Sequence, residues 1–206
     1  MNDQNLMMHS FEDKTESLVR LLGSPGSNVT ARQGDRVFNY HYLPGEWASL
    51  RASLPKMRVR LEKLGYTPHI HSFADIMSSI FEGKGKKAID AMTSAEGKTN
   101  LPHKSYTGTL QQFLIGPELS LASPIVVALI GILEEAAKTH KSVLLLTDVE
   151  MLHPLVRVSA FEQVMQGKFK VPTVIFYPGR RGTVGDNPSF LGIYSSDGNY
   201  RSTHVY

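Results

Sequence analysis

Residues 142–147, Ser-Val-Leu-Leu-Leu-Thr, form an uninterrupted apolar run closed at each end by a hydroxyl residue. A strand with one wet face alternates apolar and polar side chains. A run without alternation is buried on both faces, as inner strands of parallel sheets are. Parallel strands cannot be joined by tight turns. Each needs a crossover, usually a helix, and helices must cover both faces. Residues 171–177 repeat the pattern, and 36–42 and 67–73 supply two further strand candidates, the first alternating through Val37, Phe38, Tyr40 and Tyr42.

Helical periods fall between these runs. Phe11, Leu18, Leu21 and Leu22 share a face over 10–23, and Gly23 ends the stretch. Trp47, Leu50, Leu54, Met57, Leu61 and Leu64 keep a three-four spacing, with Pro55 inside it predicting a kink or a start near Ser53. Further helices are predicted over 74–82, 86–95, 110–114, 124–138 and 152–166. The stretch 124–138 is apolar almost all round as far as Glu134, which predicts a buried helix. At the end, 190–194 and 199–205 flank Ser195-Ser196-Asp197-Gly198, the mark of a β-hairpin. The expected fold is an α/β three-layer sandwich: a mostly parallel sheet, helices on both faces and a C-terminal antiparallel hairpin.

At 206 residues the chain suits a single α/β domain, with 1–35 an N-terminal helix and loop and 36–206 the core. It has no cysteine, which excludes disulfides, a thiolate nucleophile and Cys-ligated metal. The N-terminus has no basic stretch followed by an apolar one. The longest apolar run, 125–133, falls short of the ~20 residues that span a bilayer. A cytoplasmic location without membrane contact is expected.

The usual nucleotide devices are missing. Gly83-Lys84-Gly85-Lys86-Lys87 lacks the hydroxyl residue of a phosphate loop and no strand feeds it, and Gly-x-Gly-x-x-Gly after a strand does not occur. No Gly-x-Ser-x-Gly elbow or His-Glu-x-x-His is present. No cofactor is expected. Asp148 and Glu150 follow the apolar run 142–147, at the strand end where open α/β sheets bind ligands. They fit a polar or metal site, or Asp148 caps the next helix, the simpler reading. His69 and His71 would share one strand face, with His41 on a neighbouring strand, but no further ligand is spaced to complete a metal site.

The net charge of +3 resides in the tail. From Lys168 onward five basic residues stand against two acidic ones. There, Tyr177-Pro178-Gly179-Arg180-Arg181 follows a strand. The Pro-Gly pair predicts a sharp turn with close backbone approach, and the arginines offer forked donors to phosphate or carboxylate, with Arg201 nearby. These residues are the candidates for a partner- or phosphate-binding surface.

Val-Pro-Thr-Val-Ile-Phe-Tyr-Pro-Gly (171–179), Phe-Leu-Gly-Ile-Tyr (190–194) and Gly-Asn-Tyr-Arg (198–201) resemble the C-terminal signature of the BrxB family of bacterial BREX phage-defence systems. Val37-Phe-Asn-Tyr40 and the stretch from Leu144 to Arg157 agree with it. The resemblance implies a non-catalytic assembly subunit. Its partners would be other BREX proteins: a PglZ-type phosphatase-like protein, an adenine methyltransferase and an AAA+ ATPase. It implies no catalytic residues. The alternatives are a module touching DNA through the basic tail, a degenerate nucleotide-binding protein centred on Asp148 and Glu150, and a homodimer paired through the aromatic hairpin.

Overall fold

The computed structural model describes residues 11–23, 36–87, 89–90, 94, 108, 110–180, 189–191 and 202–205. Helix α1 (Phe11–Gly23) leads to strand β1 (Val37–Tyr42), and a short turn of 3₁₀ helix opens α2 (Trp47–Lys63). There follow β2 (Thr67–Ser72), α3 (Phe73–Lys84), α4 (Pro124–Ala137), β3 (Ser142–Thr147) and α5 (Val158–Val164). The chain then forms β4 (Thr173–Arg180), β5 (Ser189–Phe190) and β6 (Thr203–Val205). The sheet order is β2-β3-β4-β1-β6, every neighbouring pair parallel, and β5 lies antiparallel on the end of β4.

The alternation of side chains along β3 and β4 divides the molecule into two cores. Val143, Leu145, Val174 and Phe176 face α1 and α2, together with Phe38, Tyr40 and Tyr42 of β1. Leu144, Leu146, Ile175 and Tyr177 face α3, α4 and α5. The chain crosses from β1 to β2 over the first face and steps back through β3 to β4 over the second. Opposite directions on opposite faces are what right-handed crossovers require. The expected layers and parallel sheet are therefore present.

Several local expectations are corrected. β1 is buried at all six positions instead of alternating, because it lies inside the sheet between β4 and β6. α2 runs unbroken from Trp47 through Pro55. The predicted helix over 152–166 is only Val158–Val164, preceded by a 3₁₀ turn, Val149–Leu152. Pro154 has no N–H to give a helix and biases its predecessor to extended backbone, and His153 is extended at φ −81°, ψ 140°. α4 buries Ile125, Val126, Leu129 and Leu133 on one stripe, while Val127 is 54% exposed. The antiparallel pairing near the C-terminus joins β4 to β5, whereas β6 runs parallel to β1. The Ser195–Gly198 turn of the expected hairpin lies outside the described residues, as does half of the predicted helix over 86–95. No helix among the described residues is long and apolar enough to cross a membrane.

Candidate functional site

In an open parallel sheet, a crevice forms at the carboxyl ends of strands where successive connections leave to opposite faces. Here β1 departs toward the α2 face and β3 toward the α5 face, so the switch point falls at the carboxyl ends of β1, β4 and β3. Tyr42, Trp47, Thr147, Asp148 and Glu150 gather there.

Asp148 is the pivot. Its backbone is left-handed, φ 57° and ψ 37°, a conformation that costs a non-glycine residue of order 1 kcal/mol or more unless its surroundings hold it. Its carboxylate makes no cap bond to the turn that follows, which overturns the capping reading. Instead Trp47 Nε1 donates to Oδ1 at 3.2 Å and Thr147 Oγ1 to Oδ2 at 2.9 Å. Ser72 also donates to it, and Arg51 stacks over the Trp47 ring at 4.8 Å and adds positive charge. Burial alone would raise the pKa of the carboxyl. The donors Ser72, Thr147 and Trp47 with Arg51 outweigh it and hold the carboxyl below its ordinary value. Asp148 thus ties the start of α2 to the ends of β2 and β3. It is a poor proton acceptor.

Glu150 goes the other way. Half-buried, its carboxyl is pushed up by burial and by the nearby Asp148 charge, although Tyr42 OH donates to Oε2 at 3.4 Å. Tyr42 is raised in turn, by burial first and then by Glu150 and Asp148. The two carboxylates named from the sequence are therefore neighbours held in opposite protonation tendencies.

A second polar group was not anticipated. β1 points Asn39 and His41 at the α5 face, where a packed core would be apolar. Asn39 Nδ2 donates to Glu162 Oε1 of α5 at 2.9 Å and to Ser202 Oγ at 2.6 Å, and Ser202 Oγ donates to the same carboxylate oxygen at 3.1 Å. His41 Nε2 and His204 Nδ1 are 2.7 Å apart, so one proton lies between the rings. Tyr177 packs on His41, ring centroids 4.8 Å apart. Burial, then the charges of His204 and Lys14, push His41 down to about 3, and burial lowers His204 as well. Asn39 is 0% exposed, and its Oδ1 has no hydrogen-bond partner among the described residues. These contacts fasten β6 and α5 to β1. No local signal marks them, since their members lie up to 163 positions apart in sequence.

The remaining sequence candidates are placed differently. The sharp turn expected at Pro178-Gly179 is absent, because β4 continues as a strand through both to Arg180. The close backbone approach is real, but it is to the chain itself: a Cβ on Gly179 would collide with the Ser189 carbonyl of β5 and lie 2.6 Å from the Tyr177 ring. Tyr177, Pro178 and Gly179 are buried. Arg180 pairs through its backbone with Ser189, while Arg181 and Arg201 lie outside the described residues. His41 is not on a strand next to His69 and His71: β3 and β4 separate β1 from β2. His69 Nε2 meets Ser142 Oγ at 3.2 Å. Among the described residues no three His, Asp or Glu side chains are grouped to hold a metal. Gly85, at φ 79°, ends α3, so the glycine-lysine segment is a helix terminus.

The family model of the BREX protein BrxB matches residues 72–205, well over half of the chain. The chain belongs to the BrxB family. It is accordingly a component of a BREX phage-defence system. No curated protein and no solved structure matches the chain. The BrxB match takes in Asp148, Glu150, Glu162, Ser202 and His204, but begins after Asn39, His41, Tyr42 and Trp47, the residues that β1 and α2 bring to them.

Proposed function

We propose that this BrxB-family chain is a non-catalytic assembly subunit that binds other BREX proteins, among them the PglZ-type phosphatase-like protein, the adenine methyltransferase and the AAA+ ATPase. The observation that carries the reading is the state of Asp148. The carboxylate in the position where an α/β enzyme keeps its reactive group has both oxygens engaged by the chain's own Trp47 and Thr147. A base must reach a substrate proton and have a pKa near the working pH. Asp148 is spent on joining α2 to β3, and its carboxyl lies below its ordinary range.

The test is purification of the tagged chain from its native operon. Retention of at least one of the three partners through a salt wash is expected, and a chain that elutes alone refutes the reading. Asp148→Asn and Glu150→Gln separate assembly from chemistry. Both are expected to keep phage protection if they fold. A variant that folds and assembles but loses protection would assign chemistry to the crevice.

A further inference from the structure

α1 and α2 lie side by side on one face of the sheet and leave a trough of about 880 Å³ between them. Its apolar lining is Phe11, Pro55, Met57 and Val59, and Val59 is 48% exposed on a helix that buries Leu50, Met57 and Leu61. Its walls carry opposite charge. Glu12, Asp13 and Glu16 line the α1 side, and Lys56, Arg60 and Lys63 the α2 side. Arg60 and Glu16 bridge the walls once. Lys56 and Lys63 make no ion pair among the described residues.

We propose that this trough receives one amphipathic helix of a partner protein, with a narrow apolar stripe, a basic edge and an acidic edge. The inference rests on the assembly reading and names its surface. Two adjacent helices offer ridges and grooves into which a third packs at a spacing of about 8–10 Å. Residues 53–63 of α2 span roughly 16 Å at ~1.5 Å per residue, so about three turns of the incoming helix are covered. Its basic edge lies against α1 and its acidic edge against α2. Turning the helix end for end exchanges its edges, so the charge layout fixes the direction in which the partner runs. The acidic wall repels a phosphate backbone, which disfavours nucleic acid as the occupant.

The probes are three stapled, labelled helical peptides of fourteen residues with the same leucine stripe: one with a Lys edge and a Glu edge, one with Lys on both, one with Glu on both. Fluorescence anisotropy is expected to show the mixed peptide binding at least tenfold more tightly than either control, and weakening as salt rises. Val59→Asp should lower that affinity at least tenfold. Lys56→Glu with Lys63→Glu should shift the preference to the Lys peptide. Circular dichroism first confirms that each variant is folded. Equal binding of the three peptides, no binding at 1 mM, or an unshifted preference overturns the proposal. So does a concentration-dependent dimer in sedimentation that Val59→Asp abolishes, which would make a second copy the occupant. In the operon complex, folded Val59→Asp should lose partner retention. Normal assembly with that variant overturns the trough while leaving the assembly reading intact. A wild-type chain that purifies alone overturns the assembly reading itself.

Discussion

Replacing Gly179 by Ala probes how β4 and β5 are built together. The added Cβ would lie 2.6 Å from Tyr177 Cε1 and closer still to the Ser189 carbonyl oxygen, against an ordinary carbon contact of about 3.5–4.0 Å. The obstacle is a strand backbone and cannot swing away like a side-chain end. Two responses are open. The strands shift by an ångström or more, at the upper part of the ~1–3 kcal/mol that overpacking costs. Alternatively β5 leaves β4, which gives up the burial of Phe190, 8% exposed with its ring 5.2 Å from that of Tyr177. Burying a phenylalanine is worth about 1.5–3 kcal/mol. The cheaper response sets the outcome, so the expected loss is roughly 2–3 kcal/mol, and in a chain of this size the melting temperature falls by about 4–12 °C. Urea unfolding followed by circular dichroism reads it. If detachment of β5 is the route, Phe190→Ala and Gly179→Ala remove the same contacts, and the double variant loses distinctly less than the sum. A loss under ~0.5 kcal/mol for Gly179→Ala refutes the reasoning, and strict additivity rules out the detachment route.

Three further outcomes follow from the polar groups. Asn39→Leu removes the donor to Glu162, whose side chain is 3% exposed, and should cost about 1.5–3 kcal/mol in urea unfolding, the range for hydrogen bonds to charged groups. His41 sits below its unfolded value, so folding favours its neutral form. That stability is complete above pH ~6.5 and drains as the pH falls toward the folded value near 3, by at most about 1.4 kcal/mol per pH unit. His41→Leu should flatten the urea midpoint between pH 7 and pH 5, and a wild type already flat over that interval refutes the assignment. Glu150 is raised in the fold, so its ionisation opposes folding once the pH passes its ordinary value of 4.5. Glu150→Gln should therefore gain stability over wild type at pH 7 and lose that advantage by pH 4.

β3 was legible in full and β4 in most of its length, because a strand buried on both faces reveals itself by residue type alone. β1 was legible as a strand but not as an inner one. Its Asn39, His41 and tyrosines read as a half-wet pattern, and only the neighbours β4 and β6 bury them. Pro178-Gly179 carries turn chemistry in any local reading. The glycine is there because β5 returns onto it from ten residues on. Asp148 looks the same as cap or as crevice residue until Trp47, 101 positions earlier, is placed against it. The site residues that sequence reasoning missed, Asn39, Glu162, Ser202 and His204, belong to a class of contact that periodicity cannot see. They are polar side chains on three separate segments, joined only when the strand order is known.

That strand order bears on what the smallest folding unit is. The family match begins at Ser72, the last residue of β2, yet β1 at 37–42 lies between β4 and β6. A fragment of residues 72–206 would lack β1, α2 and nearly all of β2. β4 would lose its full six-residue register with β1, from Val37↔Thr173 to Tyr42↔Pro178, and β6 its pairing with β1. The core of Phe38, Tyr40, Tyr42, Leu50, Met57 and Leu61 would vanish from one face, leaving Val143, Leu145, Val174 and Phe176, now at most 0% exposed, open to water. Uncovering four such side chains costs about 6–12 kcal/mol at ~1.5–3 each, the size of a whole domain's stability. The fragment is therefore expected to show no cooperative unfolding in urea, whereas residues 36–206 should retain it at lower stability than the full chain, since α1 adds Leu18 and Leu22 to the same face. Cooperative unfolding of the shorter fragment would refute the placement of β1 inside the sheet, between β4 and β6.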